Sequence, residues 1–213
     1  IKTLSFIGTG IAKKLEKMSV ITIFDLFYFF PKSYEDRRQL PFISQLPMDQ
    51  PTMFIGTVQS LSEKKLAKNQ TLITITFSDQ TESIKTNWFN KKYLLKLIKI
   101  GKKYLVKGKK QKNQYHYHYQ FQGSDLEIIT PKNKTINCII PVYSLTYGLY
   151  QTQLRSVIDS LLTHHLSLFE NPIPPSVKQS FISLKEAIYQ LHFPNTPQDY
   201  QKAKKRIIFD ELF

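Results

Sequence analysis

The sequence predicts an α+β fold in which a small β-barrel lies between two helical segments. Apolar residues recur every three to four positions over residues 1–50 and again over residues 132–213, which is the period of an amphipathic helix. Between residues 51 and 131 they alternate with a period of two, which indicates strands. Hydrophobic residues make up 41% of the 213 residues, so the chain can build a folded core.

The first segment opens with a predicted helix that two glycines precede. Ile11 and Leu15 fall on one face of this helix. Gly8 and Gly10 resemble the turn of a helix-hairpin-helix motif, in which backbone amides approach a phosphate at a helix N-terminus. Two glycines are a weak signal, and a tight helix entry is the alternative interpretation.

A second helix is expected to begin at Thr22, because Asp25 follows it at the spacing of a capping box. Pro31 is expected to end this helix, since the residue before a proline is disfavoured in helical geometry. The polar run Tyr34–Arg38 is predicted to be a turn.

The middle segment, residues 51–131, is predicted to contain five strands and one short helix. The strands are Met53–Val58, Leu72–Phe77, Ser83–Phe89, Lys103–Lys109 and Tyr115–Phe121. A helix over Lys92–Ile98 separates the third strand from the fourth. This order is typical of an OB fold, a five-stranded barrel whose open face commonly binds single strands or junctions of nucleic acid.

The last segment is predicted to begin with an extended linker at Pro141–Tyr143 and to continue as helices. The helices run from about Thr152 to Leu168, from the capping box Ser183–Glu186 to before Pro194, and from Thr196–Pro197 to the end. Leu154 and Ile158 are expected to face the core.

Charge is the sequence feature that points most directly to a partner. No acidic residue lies between Glu82 and Asp125, and this stretch carries most of the formal net charge of +14. The candidate phosphate-binding residues in it are Lys91, Lys92, Lys96, Lys102, Lys103, Lys107, Lys109, Lys110 and Lys112. We expect them to share one face and to bind nucleic acid, although an anionic membrane surface or an acidic protein is also a partner of this kind.

An aromatic cluster lies at the start of the basic stretch and supplies candidates for base stacking. Trp88 and Phe89 are adjacent, so on a strand they point to opposite sides and at least one is expected to leave the core. Tyr93 follows four residues after Phe89. The chain has four arginines, which disfavours bidentate reading of guanine and favours recognition of DNA structure over sequence.

Signatures of catalysis and metal binding are missing from the sequence. It contains no phosphate-binding loop, and Ile207–Glu211, which resembles a strand with an acidic pair, follows a helical pattern instead. His116 and His118 alternate on a predicted strand without further ligands nearby, so no metal site is expected. Cys138 is the sole cysteine, which excludes an internal disulfide and suits a reducing cytosol.

A set of motifs spread along the chain has the order and spacing of one known family. The motifs are Phe6–Ala12, Asp25–Phe27, Phe30–Pro31, Tyr34–Arg37, Trp88–Asn90, Tyr93–Leu94, Gly101, Gly108–Lys109, Ile140–Tyr143, Thr146, Gly148–Leu149, Leu154–Arg155, His192–Pro194, Lys205–Ile207 and Glu211–Leu212. In order and spacing they resemble the N-terminal part of the RecG family of ATP-dependent DNA helicases. No single motif is decisive, but together they are specific and span the chain. The fourth strand region of the family usually ends in His-Pro-Glu, and this chain has Ile129–Lys132 instead.

The resemblance implies a wedge domain of OB-fold type that binds branched DNA, namely replication forks and Holliday junctions. It implies that Phe89 and Tyr93 stack on bases at the branch point, with Trp88 as a further candidate. ATP and Mg²⁺ belong to a motor expected C-terminal to this chain, whose ends look cut, and no cofactor is expected here. The resemblance also implies a cytoplasmic, nucleoid-associated bacterial monomer in DNA repair and recombination, with no role for a membrane.

An alternative function stays open beside this one. A free-standing OB-fold protein that binds single-stranded DNA or RNA would have the same charge and aromatics without any motor. A protein-interaction adaptor with a basic face is a further alternative. An independent enzyme fits the sequence least well.

Overall fold

The computed structural model describes residues 1, 4–66, 70–112, 119–129, 135–169 and 181–212. The chain divides into two compact units. The barrel unit is Gln39–Ile136, and the helical unit combines Ile1–Arg38 with Asn137–Phe213. The predicted division into three segments stays a prediction. The packing groups the first of them with the last, a long-range arrangement that local periodicity does not reveal.

The secondary structure follows the predicted order of helices, strands and helices. The strands are β1 (Ser33–Asp36), β2 (Pro51–Lys65), β3 (Thr71–Ser78), β4 (Ser83–Phe89), β5 (Lys103–Lys112), β6 (Tyr119–Ile128) and β7 (Ile139–Val142). The helices are α1 (Thr9–Glu16), α2 (Ile23–Phe27), α3 (Leu94–Leu97), α4 (Gln151–His165), α5 (Leu184–His192) and α6 (Pro197–Leu212). None of the helices described here has the length and apolarity needed to cross a membrane.

The five strands of the barrel unit close in the order β2-β3-β4-β6-β5. β4 and β6 run parallel, and the other neighbouring pairs run antiparallel. With α3 between the third and fourth barrel strands, this is the predicted OB fold, and the α+β class is confirmed. β2 and β6 extend further than predicted, and residues 115–118 of the predicted last strand lie outside the described part.

Alternating side chains fill the barrel interior. Ile73, Ile75 and Phe77 of β3 have no exposed surface, whereas the threonines between them are only partly buried. Two glycines, Gly108 of β5 and Gly123 of β6, pair directly across the strands. A Cβ on Gly123 would lie 2.3 Å from the ring of Trp88, so the strand backbone packs against the indole.

The helical unit has its own core, built largely on α4. Leu154, Ile158 and Leu161 of this helix are fully buried, as its periodicity predicts. α2 begins with the predicted capping box, in which the Asp25 amide donates to Thr22 Oγ1 over 3.0 Å and the Thr22 amide donates to the Asp25 carboxylate over 2.8 Å.

α2 ends at Phe27, four residues before Pro31, and is shorter than predicted. The Phe29 and Phe30 amides bond to the carbonyls of Leu26 and Tyr28, so the chain leaves the helix in tight turns before the proline. The restriction that Pro31 imposes falls on Phe30 alone, so it does not explain why the helix ends at Phe27.

The prediction of a turn at Tyr34–Arg38 is wrong. Residues 33–36 form β1, which pairs antiparallel with β7, and Glu35 lies opposite Ile140. The charged side chains of this run form ion pairs with each other. Arg37 pairs with Glu35 over 2.8 Å, and Arg38 pairs with Asp36. The partner strand lies about a hundred residues away in sequence, so no local signal reveals the pairing. The predicted linker at Pro141 is part of β7.

The last two helices begin as predicted. The Ser183 hydroxyl accepts from the Glu186 amide over 3.1 Å, and α5 ends before Pro194. Thr196 Oγ1 accepts from the Asp199 amide over 3.1 Å ahead of Pro197, the first residue of α6. Residues 207–211 lie within α6, which confirms that their acidic pair does not end a strand.

Candidate nucleic-acid interface

Phe89 and Trp88 lie at the end of β4 and point to opposite sides of the barrel wall. Ile84, Thr86 and Trp88 face inward, and Phe89 is 46% exposed. The indole N–H of Trp88 donates to Thr86 Oγ1 over 2.8 Å, so its polar atom is satisfied inside the core. Because Trp88 has no exposed surface, the prediction that it stacks on bases is corrected: it is a core residue.

A turn at Asn90 presents the second candidate ring. Asn90 has a φ of 56°, a left-handed conformation that asparagine tolerates. Its side-chain oxygen accepts from the Thr71 amide over 3.0 Å, and its own amide donates to the Thr71 carbonyl over 2.8 Å. Tyr93 then lies just before α3 with 59% of its surface exposed. Phe89 and Tyr93 thus flank a turn that is fixed to the start of β3.

The phenol of Tyr93 remains neutral at physiological pH. Partial burial raises its pKa above the usual value, and the charge of Asp125 raises it further. A neutral ring does not repel phosphate and can stack on a base.

The stretch between Glu82 and Asp125 contains no acidic residue, but the fold places carboxylates from elsewhere in the chain beside several of its lysines. Ion pairs join Lys92 to Glu63 over 3.7 Å, Lys107 to Asp125 over 3.9 Å and Lys109 to Asp49 over 3.7 Å. The more exposed pairs, those of Lys92 and Lys109, contribute about 0–1 kcal/mol each. A phosphate can therefore displace their carboxylates at little cost.

Lys91 is held close to the barrel. Its ammonium group lies 5.2 Å from the centre of the Trp88 ring and donates to the Ser124 carbonyl. It covers the indole, so its role as a phosphate ligand stays a prediction.

Four of the predicted phosphate ligands are exposed and have no ion pair within the described residues. They are Lys96, Lys102, Lys103 and Lys112. Lys103 lies opposite Thr57 at one end of β5, and Lys112 lies opposite Tyr119 at the other. At about 3.3 Å per residue, nine residues separate these two positions by ~30 Å. These two lysines therefore lie near opposite ends of β5, and the expectation that the lysines share one face stays a prediction.

A row of hydrogen-bonded polar side chains crosses the outer surface beside Phe89. Thr74 of β3 donates to Asn87 Oδ1 over 3.2 Å, and Asn87 Nδ2 donates to Gln120 of β6 over 2.8 Å. Asn87 precedes Phe89 by two residues, so it lies on the same side of β4. Thr74 and Asn87 occupy the outward positions of the period-two pattern in their strands, which is the sequence signal that could have identified them.

The glycine turn at the start of α1 forms as a tight helix entry. Gly8 is the N-cap with an extended backbone, and Gly10 lies within the helix. Neither glycine has a positive φ, and both have open space where a Cβ would lie. Phosphate binding at this turn stays a prediction.

The last barrel strand is predicted to begin at Tyr115, and no metal site is expected at its His116 and His118. Residues 115–118 fall outside the described part of the chain. In the part that is described, no group of three or more potential metal ligands occurs. Tyr119, the first residue of β6, is 57% exposed.

Comparison with known proteins gives consistent matches. The family model for the RecG wedge domain matches residues 1–164. The ATP-dependent DNA helicase RecG of Thermotoga maritima is 31% identical over 97% of this chain and 27% of its own length. The RecG helicase of Borreliella burgdorferi is 27% identical over 100% of this chain and 32% of its own length. This chain therefore spans about a third or less of these relatives.

A solved structure of RecG bound to a three-way DNA junction has the same architecture. It superimposes with a TM-score of 0.81 at 29% identity, over 97% of this chain and 28% of that chain.

Proposed function

The chain belongs to the RecG wedge-domain family, and on that premise we propose that it is the branched-DNA-binding part of an ATP-dependent DNA helicase. In the complete protein it would help to reverse stalled replication forks and to branch-migrate Holliday junctions during recombination and repair. ATP and Mg²⁺ would act in a motor outside this chain. A monomer in the bacterial cytoplasm, associated with the nucleoid, is part of the same proposal.

The observation that carries the proposal is the pair of exposed rings around one fixed turn. Phe89 and Tyr93 lie outside the barrel core, and the bonds between Asn90 and Thr71 hold the turn between them. An unpaired or terminal base can stack on such a ring, which contributes ~1–3 kcal/mol per base. Bases inside a continuous duplex are already stacked on each other. The rings therefore favour a branch point over linear duplex.

The lysines would hold the arms of the branch without reading sequence. They lie along β5 and around α3, and the ones with carboxylate partners form weak, exposed pairs. Binding of this kind depends on salt and is indifferent to base identity.

The arginines, which read guanine best, are all outside the barrel unit. Arg37 and Arg206 have no exposed surface, Arg38 is paired with Asp36, and Arg155 donates to the Pro141 carbonyl over 2.8 Å. Recognition by DNA structure rather than by sequence follows from this distribution.

In this mechanism the barrel separates the two DNA strands at the branch without supplying force itself. Phe89 and Tyr93 cap the last base pairs at the branch, and the lysines guide the separated strands along the barrel. The force comes from translocation by the motor, so this chain alone should hydrolyse no ATP.

Fluorescence anisotropy with three probes of matched length and sequence tests the proposal. This chain should bind a fork most tightly, and a linear duplex and a single strand more weakly. Equal binding of single strand and fork would support the free-standing single-strand binder instead. Displacement of the fork by an acidic peptide would support the protein-interaction adaptor.

A further inference from the structure

Tyr119 lies just beyond the core at one end of the barrel. Phe121, two residues later on β6 and on the same side of the strand, has no exposed surface. Tyr119 is 57% exposed, so the interior ends between these two rings. Its ring is therefore not needed to fill the core.

Two lysines accompany this ring. The Lys110 ammonium group lies 5.3 Å from its centre, within the range of a cation–π contact. Lys112 lies directly opposite Tyr119 in the register of β5 and β6. The antiparallel pairing fixes both lysines on the same side as the ring, because residues that lie opposite, and residues two apart, share a face of the sheet.

This cluster is separate from the turn that carries Phe89. β4 and β6 run parallel with Thr86 beside Phe121, so Tyr119 lies level with Ile84. Phe89 is five residues further along β4, which at about 3.3 Å per residue is ~17 Å. Phe89 also points to the outside of the barrel wall, whereas Tyr119 lies on the side of β6 that faces the interior, as Phe121 does.

We propose that Tyr119, Lys110 and Lys112 form a second nucleotide-binding site, which takes a single-stranded arm of the DNA. One base stacks on the exposed ring, and the two ammonium groups bind the flanking phosphates. An aromatic ring beside cations is the combination by which proteins hold single strands without sequence preference. The inference rests on the proposed function and adds to it a path for one arm after the branch.

Forks whose single-stranded arm is lengthened stepwise test the inference in the full chain. Affinity of the parent should rise once the arm reaches from the branch to Tyr119. Tyr119→Ala should remove this gain, by about 5- to 50-fold, because a stacking contact is lost. Tyr119→Phe should keep it, since the ring remains. Tyr147→Ala, which removes a fully exposed tyrosine of the helical unit, is the matched control and should bind as the parent does.

Photo-cross-linking gives a direct second readout. An arm that carries 5-iododeoxyuridine at the predicted position should cross-link to the peptide that contains Tyr119. Lys110→Gln with Lys112→Gln should weaken binding of the long-armed fork more than binding of the short-armed fork, so that the gain from the longer arm shrinks.

Two results would overturn the inference and leave the proposed function intact. One is a parent that prefers forks but gains nothing from a longer arm. The other is a Tyr119→Ala variant that gains as much as the parent. A parent that binds fork and linear duplex equally would instead contradict the proposed function itself.

Discussion

His192 is a titratable side chain at the centre of the helical core. Its Nε2 lies 2.8 Å from the Phe27 carbonyl, which can only accept, so Nε2 carries the proton and donates. Nδ1 then accepts from the Tyr143 hydroxyl over 3.0 Å. Burial lowers the pKa of His192 to about 4 from 6.5, because a charged imidazole would lose its hydration there.

This pKa predicts a loss of stability in mild acid. The unfolded chain binds a proton at His192 below pH 6.5, and the folded chain does so only below about pH 4. The contribution is therefore present in full above pH 6.5 and is lost as pH falls from 6.5 to 4, by about 3 kcal/mol in all. Urea unfolding at pH 7 and pH 4.5 should show most of this difference.

Two variants separate His192 from the other groups that titrate. In His192→Gln the difference between pH 7 and pH 4.5 should shrink by about 2–3 kcal/mol. His164→Gln, at an exposed position of α4, should keep the difference of the parent. Equal stability of the parent at both pH values would contradict the assignment of a neutral, buried His192.

For single residues, the sequence predicts which way a side chain points along a strand better than it predicts whether that side chain is buried. Adjacency showed that Trp88 and Phe89 point apart, but only the packing against Gly123 shows that the indole is the one inside. Tyr119 lies within the predicted last strand, Tyr115–Phe121, but its exposure depends on where the barrel ends. Such facts depend on the closed barrel rather than on neighbours in sequence.

Whole elements were predictable where their signals are local. The capping box at Thr22, the N-cap at Thr196 and the alternation of β3 each lie within a few residues, and each element forms where expected, although α2 ends early. β1 did not follow from the sequence, because its stability comes from pairing with β7.

Two glycines of different elements should respond oppositely to alanine. Gly123→Ala places a Cβ 2.3 Å from the Trp88 ring, so the barrel should lose about 1–3 kcal/mol or more of its free energy of unfolding. Gly10→Ala has open space within α1 and should gain up to about 1 kcal/mol, because alanine favours helix. Urea denaturation measures both.

The same pair of variants also tests the glycine turn. If Gly10→Ala binds the fork as the parent does, the turn is a helix entry and not a phosphate site. A destabilised Gly10→Ala, or a neutral Gly123→Ala, would contradict the packing described for these elements.

For the molecule as a whole, a net charge of +14 predicts strong dependence of binding on salt. If Lys96, Lys102, Lys103 and Lys112 each neutralise one phosphate, fork affinity should fall about 100-fold between 50 and 200 mM salt. Binding titrations at several salt concentrations give the slope. A flat response would remove the role assigned to the lysines.

A matched pair of charge variants locates the effect. Replacing these four lysines by glutamine should flatten the slope strongly. Replacing Lys13, Lys17, Lys202 and Lys204 of the helical unit changes the net charge equally and should alter the slope much less.

The central claim is that Phe89 and Tyr93 recognise the branch point, and one comparison tests it most directly. The double variant Phe89→Ala, Tyr93→Ala is measured on a fork and on a linear duplex, beside a Tyr147→Ala, Tyr150→Ala control with two exposed rings of the helical unit removed. Fork affinity of the first variant should fall roughly 10- to 100-fold, with linear duplex binding nearly unchanged and the control like the parent. If the first variant binds both DNAs as the parent does, the rings do not recognise the branch.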